Sequence, residues 1–185
     1  MEKYVHPNYI KSSKTVVSIV LSLFIGTGTC LAQESMIDGK LVRLNGLKFN
    51  SGKGEIVANF GKPKKVSEPN YECGFHSEAE QGNRFYQLTY DHIVFIGNAS
   101  DGYDIESIEF SPNSDLTLHY GQFTFTHKLT KDEFIIFFGN TIKNRFDDNG
   151  NGITDIFLYF KNKDDGLIFT FKSGYLAKVA YWSPC

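Results

Sequence analysis

Long apolar runs, a surplus of positive charge, cysteines and catalytic signatures are all scarce in this 185-residue chain. Each scarcity excludes something. The N-terminal apolar stretch, Thr15 to Gly26 (TVVSIVLSLFIG), has about a dozen residues, too few to cross a hydrocarbon core of roughly 30 Å. Lys and Arg number 19 against 21 Asp and Glu, so the basic footprint of a nucleic-acid partner is missing. The three cysteines, Cys30, Cys73 and Cys185, allow at most one disulfide within the chain. There is no phosphate-binding loop, no Gly-x-Ser-x-Gly and no His-Glu-x-x-His, so no motif assembles a catalytic set.

What is present begins with an export signal. The opening MEKYVHPNYIKSSK carries Lys3, Lys11 and Lys14 against one acid, Glu2. The apolar stretch follows, and then small residues up to Thr29-Cys30-Leu31-Ala32-Gln33. This basic, apolar, small-residue order predicts a signal peptide over residues 1–32, cleaved after Ala32. Cys30 supports a rival reading, lipidation and a membrane anchor. The usual lipoprotein pattern has Leu three residues ahead and a small residue just ahead, where this chain has Thr27 and Thr29. Cleavage takes 19 basic and 21 acidic residues to 16 and 20, a net charge of about −4, and takes 185 residues to 153. That length supports one ordinary domain with its own core. Aromatics make up 15% of the chain and are spread through strand-like segments, which favours a packed β-rich interior over disorder. Cys73 and Cys185 remain, and an even count in an exported chain predicts a disulfide. It would close a loop of more than a hundred residues and stabilise by roughly 4–5 kcal/mol in the chain-entropy model. Two free thiols are the alternative.

The mature part repeats itself. Leu41 to Leu44, Asn45-Gly46 and Leu47 to Phe49 read as a tight hairpin, since Asn-Gly accepts the positive φ angles of a two-residue turn. Leu116 to His119, Tyr120-Gly121 and Gln122 to Phe125 repeat the pattern. A short helix follows each hairpin, Gly52 to Phe60 ending at Gly61, and Thr130 to Phe138 ending at Gly139. Ile56, Val57 and Phe60 match Phe134, Ile135 and Phe138, which is the spacing of one buried face. Thr130 with Glu133 is a capping-box pattern, and each glycine stands where a helix end wants a left-handed residue. Strand segments then correspond in order: Phe85–Tyr90 with Ile156–Phe160, Asp91–Phe95 with Asp165–Phe169, and Gly102–Phe110 with Gly174–Tyr181. The expected architecture is α+β: two tandem repeats, residues 40–113 and 114–185, each a β-hairpin, one short helix and about three further antiparallel strands. One copy would be marginal at this size, so the two are expected to close over one core. A groove between them, or a sheet face, is the expected place for a partner.

This order, with Gly54-Glu55-Ile56-Val57-Ala58-Asn59-Phe60-Gly61-Lys62-Pro63 at the helix end, resembles the tandem α+β folds of the β-lactamase-inhibitor-protein-like group. The same segment is similar to the helix-to-glycine-proline stretch of small outer-membrane assembly lipoproteins of the SmpA/OmlA type. Members of both groups bind proteins and do not catalyse, so the resemblance implies a binding role.

Among local constellations, Asp147, Asn149, Asn151 and Asp155 place oxygen ligands around Gly150 and Gly152. The stretch resembles the calcium loops of thrombospondin type 3 repeats and half an EF-hand. The closing glutamate is missing, with Leu158 in its place, and an ordinary Asn/Asp/Gly turn accounts for the same residues. Calcium is thus the one cofactor suggested. Cys73-x-x-His76 is half of a zinc pattern, and with Glu72 or Glu78 it could be forced into a nucleophile pair only by unseen geometry. His119 and His127 flank the second hairpin, and His92 stands alone. Paired acids such as Asp164-Asp165, Asp132-Glu133 and Asp147-Asp148 sit at turns and helix starts. Asn98-Ala99-Ser100 fits the glycosylation pattern by chance. Tyr86, Tyr90, Tyr103, Tyr159, Tyr175, Tyr181 and Trp182 lie on strand segments, and those facing outward suit a protein interface. The reading is an exported, non-enzymatic protein-binding module, of inhibitor, immunity or envelope-accessory type, in the periplasm or outside the cell. The alternative is a small exported hydrolase whose site assembles only in three dimensions.

Overall fold

A computed structural model describes residues 36–69 and 78–184. All of them belong to one compact unit, Ala32–Cys185. The leader, Cys30, Cys73, His76 and Cys185 lie outside the described residues, and with them the expected cleavage, lipidation and disulfide.

The protein is mixed α+β, mostly strands, with a few short helices and two sheets. After β1 (Met36–Ile37), a hairpin is formed by β2 (Val42–Leu44) and β3 (Leu47–Lys48). Asn45 and Gly46 turn it at φ 46° and 90°, the two positive angles of the type I′ turn that Asn-Gly favours. The second hairpin, β9 (Leu118–Tyr120) and β10 (Phe123–Phe125), turns one residue later than its sequence suggests. Tyr120 pairs with Phe123, so the turn is Gly121-Gln122 and not Tyr120-Gly121. Gly121, at φ 59°, supplies the positive angle at the first turn position, while tyrosine stays in the strand, where a bulky side chain avoids that angle. The hairpins join through β2 and β9 into one antiparallel four-stranded sheet, β10-β9-β2-β3.

The larger sheet is built from two antiparallel meanders. One is β6 (Tyr86–Thr89), β7 (Ile93–Asn98) and β8 (Gly102–Glu109), and the other β12 (Ile153–Phe160), β13 (Gly166–Lys172) and β14 (Tyr175–Trp182). They meet at β8 and β14, with Ile108 opposite Val179. β5 (Lys65–Ser67) adds to β6, and β11 (Asp147–Gly150) to β12. β4 (Asn50–Ser51) pairs with the start of β8, and β1 lies parallel to the end of β12.

The helices have the predicted extents. α1 (Lys53–Phe60) starts after Gly52, and α3 (Lys131–Phe138) after Thr130. A four-residue helix, α2 (Glu78–Gln81), lies between β5 and β6. At α3 the Glu133 backbone N–H donates to Thr130 Oγ1 at 3.2 Å, and the Thr130 N–H donates to Glu133 Oε2 at 2.9 Å. The Glu133 carboxyl is accordingly held below the usual carboxylate range, first by the bond from the Thr130 backbone. Gly61 and Gly139 end the helices with φ 77° and 86°, but their ψ values of −162° and 156° are extended and not left-handed helical. That corner of backbone space is open essentially to glycine alone.

Both sheets and both longer helices share one interior. Ile56 of α1 is fully buried, as are Phe134 and Phe138 of α3, and Ile135 is buried beside them. Phe134 touches Phe138, Phe169 and Phe171, with ring centroids 4.6, 4.9 and 5.3 Å apart. Val42, Leu44, Leu118 and Phe125 of the small sheet and Ile93, Phe95, Ile105 and Ile108 of the large one belong to the same cluster. Along β12, Ile156, Leu158 and Phe160 point inward while Phe157 and Tyr159 point away, the alternation a half-buried strand requires.

Candidate functional site

Two features stand out, on opposite faces of β12. On the outward face, Tyr159, Gly166 and Trp182 share one row across β12, β13 and β14. Gly166 has no room for a side chain, because a Cβ there would sit 2.2 Å from the Leu158 carbonyl oxygen. Across β13 the Trp182 ring meets Phe157, at 5.1 Å between centroids, and Phe157 meets Tyr159 at 4.4 Å. Tyr159 and Trp182 are each 41% exposed. Of the other aromatics expected at a surface, Tyr175 is exposed, Tyr103 is buried, and Tyr86, Tyr90 and Tyr181 pack against the core.

On the inward face, a cavity of about 620 Å³ opens where β8 and β14 part company. The β8–β14 ladder covers only Ser107–Glu109 and Lys178–Ala180, and β4 takes over pairing at Tyr103 and Asp104. Phe49, just ahead of β4, fills the fork, edge-on to Phe160 at 5.1 Å and to Tyr181 at 5.5 Å. Tyr181 Oη donates to Asp165 Oδ2 at 2.7 Å, and Lys163 Nζ lies 3.5 Å from the same oxygen. Asp165 is only 8% exposed, and its Oδ1 has no hydrogen-bond partner among the described residues. Asn50 Nδ2 donates to Asp104 Oδ1 at 2.8 Å. Burial raises the Asp104 carboxyl above its ordinary value, against the opposing effects of Asn50 and Lys163. Burial, then the bond to Asp165, also holds the Tyr181 phenol well above its usual range. Lys40, Arg43, Lys48 and Lys161 complete the wall with Lys163.

The four suggested calcium ligands lie in the β11–β12 hairpin. Asp147 stands directly opposite Asp155, and Asn149 Nδ2 donates to Asp155 Oδ2 at 2.7 Å. Asn151 occupies the turn between Gly150 and Gly152, all three at positive φ. Among the described residues no three His, Cys, Asp or Glu side chains come together as a metal site. His119 Nδ1 lies 3.0 Å from Thr124 Oγ1 on the neighbouring strand. The Asn98 side chain is buried and committed to its own loop: Oδ1 accepts from the Ser100 and Asp101 backbone and from Ser100 Oγ, and Nδ2 donates to Asp101 Oδ2.

Sequence reasoning singled out Asp164-Asp165 only as a pair of turn acids and passed over Asp104 altogether. No helix among the described residues is long and apolar enough to cross a membrane. No protein-family model matches the chain, and no curated protein or solved structure matches it.

Proposed function

We propose that this is an exported, non-enzymatic binding module whose partner is another protein, met on the outward face of the large sheet around Phe157, Tyr159 and Trp182. The observation that carries the reading is that cluster. Two of its rings are two-fifths exposed on the β12–β14 meander, and large aromatic side chains with polar tips dominate protein interfaces. The N-terminal sequence supports export to the periplasm or beyond, and the resemblance to tandem-repeat binding folds supports a binding role.

The same reading takes residues 40–113 and 114–185 as two repeats closing over one core. Two registers support it. Ile108 faces Val179 in one sheet and Arg43 faces His119 in the other. Each pair sits where a twofold relation between the meanders, and between the hairpins, would place its centre. The Tyr103–Ser51 pairing at one end of the β8–β14 ladder also has a counterpart in the Tyr175–Thr130 bridge at the other.

The test is capture of a partner from the native envelope or culture fluid, compared between wild type and a Tyr159→Ala/Trp182→Ala variant of unchanged melting temperature. The expected result is one protein retained by wild type and lost by the variant. Retention by both, or turnover of a model ester or glycoside with nothing captured, would favour the exported hydrolase instead.

A further inference from the structure

The cavity at the β8–β14 fork has a charge pattern that restricts what it can hold. Its deep end is made of acceptors. Asp165 is only 8% exposed yet keeps Oδ1 without a partner among the described residues, and a buried acceptor left unpaired is destabilising. Asp104 is beside it, using Oδ1 for Asn50. A group that satisfies these oxygens must donate.

An ammonium is the obvious donor, but the surroundings oppose one. Five basic side chains line the cavity against three acids, Asp38, Asp104 and Asp165, and Lys163 already stands at Asp165. Neutral hydroxyl donors meet no such repulsion.

The mouth asks for the opposite. Arg43 and Lys48 are directly opposed across the β2–β3 ladder, an arrangement unfavourable for like charges; Arg43 Nη1 donates to the Lys40 and Val42 carbonyls at 2.7 and 2.8 Å, which leaves Nη2 and the Lys48 ammonium for an anion. Among the described residues no carboxylate forms an ion pair with Lys40, Arg43 or Lys48. The rings of Phe49, Phe160 and Tyr181 form an apolar wall between mouth and floor. Some 620 Å³ is within the range of small-ligand pockets.

We infer that this cavity binds an acidic saccharide, with hydroxyls donating to Asp165 and Asp104 and an anionic group held by Lys40, Arg43 and Lys48. The site is on the opposite face of the sheet from the aromatic cluster, so it does not depend on protein binding there.

The test is calorimetric titration of the full chain with glucuronic acid, glucose 6-phosphate and glucose. The two anionic sugars distinguish a carboxylate from a phosphate as the charged group. The expected result is saturable binding of at least one of them, with glucose weaker by about tenfold or more. Asp165→Asn should abolish that binding. Lys48→Glu, at an exposed rim position and compared at unchanged melting temperature, should weaken it by about tenfold or more and leave glucose unchanged. No saturable binding of either anionic sugar, glucose binding as tightly as they do, or Lys48→Glu leaving their affinity unaltered would each overturn the assignment.

Discussion

Gly166 couples the packing of the large sheet to its surface chemistry. Its missing side chain allows β12 and β13 to pair closely, in the row that also holds Tyr159 and Trp182. Gly166→Ala is therefore expected to destabilise by about 1–3 kcal/mol through overpacking, and to shift Trp182 fluorescence in the folded state; an unchanged spectrum would separate the two effects. Phe134, fully buried among five other rings, should cost about 3–5 kcal/mol when replaced by Ala, read from urea denaturation midpoints. Asp104 gives a pH prediction. Because burial raises its native value, the folded protein holds a proton that the unfolded chain releases near the ordinary carboxylate value of about 3.9. Stability falls as pH rises from that value through the raised one. Asp104→Asn should flatten this slope without lowering stability at neutral pH, measured by urea midpoints across the acidic range. The residue scale also shows where sequence reading stops. Phe134, Ile135 and Phe138 were legible because helical spacing is local. Asp165 meets Tyr181 from 16 residues away and Asp104 meets Asn50 from 54, and no local pattern marks such pairs.

At the scale of elements, what could be read is what carries its own chemistry. The Thr130–Glu133 box and the glycines after Phe60 and Phe138 set both helix lengths, since caps act within one turn. Thr130→Ala is expected to cost about 1 kcal/mol, seen as a lower melting temperature with an unchanged fold. The Asn45-Gly46 turn was equally legible. The Gly121-Gln122 turn was misplaced by one residue, because a single glycine specifies a positive φ but not its position in the turn. β1, β4, β5 and β11 went unread. Each has two to four residues and pairs with a longer strand that supplies its register, as β4 does with β8. β11 is instructive, because Asp147 to Gly150 reads as loop by composition and pairs as a strand only because β12 lies beside it.

In the molecule as a whole, one interior holds the sheet whose outer face is proposed to bind. The two meanders join through only three residue pairs between β8 and β14, so the remaining cohesion comes from the shared core beneath the helices and the small sheet. Cooperative folding follows if neither half can bury its apolar face alone. Native-state hydrogen exchange tests this most directly. Amides of β7 and β13, one from each meander, should exchange with the same opening free energy, equal to that of global unfolding. Two distinct free energies, with one meander opening while the other stays protected, would contradict it.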